Sequence, residues 1–134
     1  MPLLVFDMIE GRTPTAVRKI LDCSHQVVLD VFGVPTRDRY QIVHENKDYQ
    51  MVIEDTGLGY ERSRDVIVLR VFTSPRSLEQ KHLFMQRLST ALQQQCAIAP
   101  QDLVISFFSN SRDDWSFGEG EAQYSSGRLG AAPK

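Results

Sequence analysis

Along the first 110 or so residues the spacing of apolar positions switches from strand-like to helix-like and back, and it does so twice. Pro2 to Ile9 is a mostly apolar, strand-like run, and Val66 to Thr73 is its counterpart. Each run meets a turn, Gly11 to Pro14 in one case and Pro75 to Leu78 in the other. There Thr13 and Ser77 are suited to cap a helix, and Pro14 suits its first position. The next stretch places Val17, Ile20, Leu21, Val27, Val28 and Val31 on one helical stripe. Its counterpart places Phe84, Met85, Leu88, Ala91 and Leu92 at almost the same phases. The helices are expected to end near Gly33-Val34-Pro35 and Ala97 to Pro100, each followed by a further apolar strand, Tyr40 to Val43 and Leu103 to Phe108. Pro2 corresponds to Val66 and Thr13 to Ser77, an offset of 64 residues that holds without a gap over about forty positions.

Both halves therefore read β-α-β. Because such crossovers put two parallel strands under a helix on one face, the expectation is an α+β fold with a four-stranded mixed sheet and two helices on one face. An approximate two-fold axis between the halves pairs their first strands antiparallel, so Pro2 faces the region of Thr73 to Arg76. Phe107 and Phe108 are adjacent in a strand and point to opposite faces. The face without helices thus needs a cover, and a closed homo-oligomer is expected. The whole chain, residues 1–134, reads as a single domain. Repeat one spans about 2–44, a hairpin arm about 45–60, repeat two about 66–108 and a tail 109–134. In the arm, Gln50 to Asp55 is expected as a short strand against His44 to Asp48, with Thr56 to Gly59 as its turn. Gly130 to Lys134 are expected to be loose.

Composition narrows the partners. The 134 residues are 42% hydrophobic and 24% charged, within the range of one compact core. Fifteen basic against 17 acidic residues leave a net charge of −2, without a basic stripe, which argues against nucleic acid. No apolar run is long enough for a membrane span and no secretory leader is evident, so a cytoplasmic protein is expected. Cys23 and Cys96 fall in or beside helical patterns and read as reduced core thiols. His25, His44 and His82 show no metal-ligand spacing, so neither metal nor cofactor is expected.

The chemistry centres on the chain start. With Met1 removed, Pro2 exposes a secondary amine at the edge of an apolar sheet. Desolvation and nearby cations there lower its basicity from the ordinary α-amino value of about 8, into the range for acid-base work. Val66, its repeat mate, carries only an in-chain amide, so one working site per chain follows. Arg76, at a strand end beside a helix N-terminus, is suited to hold a carboxylate. Each candidate also has a plainer reading, namely a strand-start proline, a turn aspartate at Asp38, solvated arginines, and subunit-contact aromatics at Trp115 and Phe117.

Residues 1–13, Arg37 to Tyr40, Met51 to Gly59, Pro75 to Ser77 with Glu79 to Lys81, and Asp114 to Gly118 together resemble the malonate semialdehyde decarboxylase group of the tautomerase superfamily. The resemblance spans about residues 2 to 129. It implies a trimer with an amino-terminal catalytic proline, Pro2, and with Asp38 handling the water or proton. It also implies Arg76 on the substrate carboxylate and Trp115 and Phe117 as an aromatic wall. That group carries arginine on both sides of the proline in the turn, whereas this chain reads Ser74-Pro75-Arg76. Arg70 shares parity with Ser74 and Arg76 and is a candidate replacement cation. Three functions stay open: decarboxylation of a small 3-oxo acid, with hydration of acetylenic acids as a side activity; keto-enol tautomerisation of aryl pyruvates; and a catalytically silent trimeric binding protein if Met1 is retained.

Overall fold

The computed structural model describes residues 1–130; residues 131–134, most of the stretch expected to be loose, lie outside the described residues. Its elements are β1 (Pro2–Ile9), α1 (Pro14–Phe32), β2 (Tyr40–Asn46), β3 (Ile67–Thr73), α2 (Leu78–Cys96) and β4 (Leu103–Ser109). Three single-turn 3₁₀ helices lie at Asp48–Gln50, Pro100–Asp102 and Arg112–Asp114. The four strands form one mixed sheet in the order β2-β1-β3-β4.

The repeat survives in detail. Both helices have 19 residues and begin and end 64 residues apart. Thr13 Oγ1 accepts from the Ala16 amide, and Ser77 forms a reciprocal capping box with Gln80. Both helices stop at a left-handed residue, Gly33 (φ 63°) and Ala97 (φ 54°). Leu3 lies opposite Tyr40 in the first parallel pair and Ile67 opposite Leu103 in the second, so the second helix-to-strand connection is one residue shorter. At the centre β1 and β3 run antiparallel, with Pro2 opposite Thr73.

Alternation decides which face is buried. Leu4, Phe6 and Met8 of β1 and Ile67, Leu69 and Val71 of β3 join Ile20, Val27 and Val28 of α1 and Phe84, Leu88 and Leu92 of α2 in one core, all 6% exposed or less. Phe107 points into it, edge-on to Phe84 with ring centroids 5.7 Å apart. Phe108 points the other way and stacks on Phe72 at 4.9 Å. Cys23 lies in the core and Cys96 packs at its margin, both as free thiols. Among the described residues no helix is long and apolar enough to cross a membrane.

The arm differs from expectation. The Asp55 turn exists, its carboxylate accepting the Gly57 and Gly59 amides at 3.1 and 2.7 Å. Gln50 to Asp55, however, form no strand. β2 runs on to Asn46, opposite Ile9, and Lys47 to Gln50 then close a 3₁₀ turn capped by the Gln50 side chain. That turn carries the following residues away from the free edge of β2, so they do not pair with it.

Candidate active site

Two registers build the site. Leu3 opposite Tyr40 puts the chain start alongside Asp38, two residues before each, and Pro2 opposite Thr73 puts it beside the Ser74 to Arg76 turn. Asp38 closes a turn through its amide to the Pro35 carbonyl, 2.9 Å. The buried His25 Nε2 donates to the Thr36 carbonyl at 2.8 Å and ties that turn to α1. The Asp38 carboxylate then accepts the N-terminal ammonium of Met1.

On the opposite wall Arg76 donates from Nε to Thr73 Oγ1 at 3.2 Å, and its guanidinium lies 4.9 Å from the centre of the Phe32 ring. Among the described residues it forms no ion pair. Arg12, its mate 64 residues earlier, is held instead by the carbonyl of Asp65 at 2.6 Å and by its carboxylate at 3.7 Å. The end of the molecule that has no amine is neutralised, while the end with one keeps a guanidinium that is unpaired among the described residues. Burial is the main reason the Arg76 guanidinium is less basic than usual.

The tail completes the enclosure. The Asn110 amide donates to the Thr73 carbonyl at 2.9 Å, and Trp115 Nε1 donates to Asn110 Oδ1 at 2.7 Å. Trp115 stacks on Phe117 at 5.7 Å, and Phe117 in turn meets Tyr40 at 5.5 Å and Tyr124 edge-on at 5.6 Å. Tyr124 donates its hydroxyl to Met1 Sδ at 3.2 Å. Arg112 lies 4.0 Å from the Tyr124 ring centre. The result is a cavity of about 490 Å³ lined by Met1, Asp38, Tyr40, Ser74, Arg76, Arg112, Phe117 and Tyr124, among others. A more open depression beside α1 holds one carboxylate, Asp22, already committed to Arg18 and Arg39.

Burial drives the Met1 amine below its ordinary basicity. Asp38 opposes this by hydrogen bond and charge, and Arg76 and Arg112 reinforce it. Of the residues singled out from sequence, Asp38, Ser74, Arg76 and Phe117 line one cavity, Trp115 stacks on Phe117, and the buried Pro2 does not line it but follows Met1, which does. Arg70 is not with them. It lies on the helix-free face of the sheet, with Nη2 2.7 Å from the Asp7 carboxylate. Arg112 and Tyr124 were not singled out, because they belong to a non-periodic tail in which only Trp115 and Phe117 stood out.

The chain is a pseudo-symmetric pair of β-α-β units with an amine, a carboxylate and arginines gathered at one end, and it belongs to the tautomerase family. Two family models, both described as tautomerase enzyme, match it over residues 38–118 and 2–60. The probable tautomerase YrdN of Bacillus subtilis (strain 168) is 49% identical over 129 residues, covering 96% of this chain and all of that protein. Among solved structures, a malonate semialdehyde decarboxylase is similar at 46% identity and a TM-score of 0.93, over 95% of this chain and 98% of that one. The FG41 malonate semialdehyde decarboxylase, inhibited by 3-bromopropiolate, follows at 35% and 0.92, over 98% and 99%. A fused 4-OT protein solved as a symmetric trimer shares the fold at 20% identity and a TM-score of 0.76, over 94% and 99%.

Proposed function

We propose that the chain is an amino-terminal-proline enzyme acting on a small 3-oxo acid, in the manner its 46%-identical neighbour's name describes for that protein. One observation carries the reading: the chain start is inserted in a cavity, with its amine on Asp38 and under the influence of two arginines. On this reading Met1 is removed, the amine becomes the Pro2 nitrogen one residue back along β1, and substrate takes the space of the Met1 side chain. The working form is a homotrimer.

Arg76 binds the substrate carboxylate, and the protonated Pro2 amine polarises the neighbouring carbonyl oxygen. The bond between the carboxylate carbon and C2 then breaks and carbon dioxide leaves. The electron pair passes into the carbonyl oxygen as an enol that takes the Pro2 proton. The enol is protonated at C2 from water held by Asp38 while its O–H proton returns to Pro2, and the hydroxide left by that water is neutralised from solvent, so each turnover consumes one proton. Phe117, backed by Trp115, keeps the reacting end dry.

A second reading, tautomerisation of aryl pyruvates, is favoured by one feature. Burial depresses the basicity of the amine at the chain start, here that of Met1, and the same burial acting on a Pro2 amine suits a neutral base better than a cation. Both readings need a free Pro2 amine. Purified protein is expected to lack Met1 by intact mass and to turn over malonate semialdehyde or phenylpyruvate. Carbamylation of the amine should abolish that turnover. Full activity after complete carbamylation, verified by mass, would end both, and an inert protein that keeps Met1 would leave the silent binding role. The ratio of the two turnovers decides between decarboxylase and tautomerase.

A further inference from the structure

The cavity contains more positive charge than a single carboxylate anchor needs. Asp38 is engaged by the amine, Ser74 contributes only a hydroxyl, and Arg70 is spent on Asp7 across the sheet. Arg76 and Arg112 both line the cavity, and among the described residues neither forms an ion pair. The acids nearest Arg112 in sequence are already used: Asp113 accepts from Ser125 Oγ at 2.6 Å, and Asp114 accepts the Ser111 amide at 2.6 Å.

Arg112 is also held in place. Its guanidinium lies over the Tyr124 ring at 4.0 Å, and its Nη2 donates to the Gly130 carbonyl at 3.0 Å. Of its five N–H donors one is thereby engaged, which leaves several for a ligand. Tyr124 in turn touches Met1, the group whose place the substrate takes. A half-buried guanidinium preorganised on an aromatic ring, with no counter-charge among the described residues, at the wall of a cavity, is the arrangement that pairs with an incoming anion.

We propose that Arg112 is a second anion-binding residue of this pocket and that, with Arg76, it holds the two oxygen-bearing ends of one short substrate, a 3-oxo acid or a three-carbon dicarboxylate. This rests on the pocket being the carboxylate site of the proposed function. Arg112 does for this chain what a cation at position 74 would do, from a different element.

The test is calorimetric titration of the processed protein with malonate, which has two anionic ends, and with propionate, which has one. Arg112→Gln should weaken malonate by about tenfold or more, the loss of one charge-assisted pair, and change propionate less than about twofold. Arg76→Gln should weaken both. Arg112→Lys, which keeps the charge, should recover part of the malonate affinity, with thermal melting used to confirm that the variants are folded. Unchanged malonate binding in Arg112→Gln beside a loss in Arg76→Gln overturns this inference and leaves the pocket reading standing. Equal weakening of malonate and propionate in Arg112→Gln, or no recovery in a folded Arg112→Lys, also overturns it. If the wild type binds neither probe, the pocket reading falls and takes the second arginine with it.

Discussion

At the scale of single residues, the amine at the chain start is pulled in opposite directions. Burial lowers its basicity most, Asp38 raises it by hydrogen bond and charge, and Arg76 and Arg112 lower it again. Asp38→Asn removes the one anion and should lower the pKa of the N-terminal amine further, measured by NMR titration; a rise would show that Asp38 does not set it. The sign also fixes a stability effect in the chain that retains Met1. Its folded amine pKa lies below the ordinary value of about 8, so between the two values the unfolded chain binds more protons. Stability from this group therefore rises with pH through that window, up to about pH 8, and is diminished below it. Denaturation midpoints across the window should rise with pH in protein shown by intact mass to retain Met1. The same residues show how far sequence reaches. Pro2 and Arg76 were legible because the antiparallel pairing of the two first strands brings them together, whereas Asp38 was singled out only through the family resemblance. Arg70 was misplaced because parity along β3 ends at Thr73, after which the turn swings Arg76 around the strand end while Arg70 stays on the helix-free face. Arg112 is brought in by a tail whose path depends on Asn110, Trp115 and Gln123 side-chain hydrogen bonds, and nothing periodic announces these.

At the scale of elements, the helices were readable because caps, stripe and stop agree at each end. The two stops differ in one respect that can be measured. Gly33 and Ala97 occupy equivalent left-handed positions, at φ 63° and 54°, yet only Gly33 does so without Cβ strain. A Cβ at Gly33 would meet nothing within 4 Å, so Gly33→Ala isolates the backbone penalty. It should destabilise by about 1 kcal/mol, and Ala97→Gly should stabilise by about 0.5–1 kcal/mol, read from urea unfolding midpoints. Opposite signs are the expectation; equal signs would mean that the caps do not share the backbone strain the repeat assigns to them. The arm shows the complementary limit. Met51 to Asp55 alternate in burial as a strand would, and Met51 is extended at φ −127° and ψ 106°. Alternation specifies an extended chain but not a neighbour to pair with, and a ladder needs both.

At the scale of the whole molecule, the sheet is only half covered. Its outer strands present Tyr40 and Ile42 on β2, at 40% and 45% exposure, and Phe108 on β4 at 44%, with the Phe72–Phe108 stack between the latter and the centre. Val52 and Leu58 of the arm add further exposed apolar surface, at 80% and 66%. Aromatic and branched side chains on a sheet face are the kind of surface that isolated soluble chains seldom leave open. Both outer strands are also edges, with one row of backbone groups unpaired. A ring of three chains answers both needs, because a heterologous contact that closes after three copies pairs one edge of each sheet with its neighbour and turns every helix-free face inward. The purified protein should therefore have three times the chain mass by light scattering at micromolar concentration. Ile42→Asp or Phe108→Asp places a charge on that face without touching the core or the Asp38 and Arg76 walls. Either should dissociate the trimer while the monomer keeps its helical circular dichroism, because the helices rest on the opposite face. A wild type that remains monomeric at that concentration would refute the trimer, as would an assembly indifferent to both aspartates.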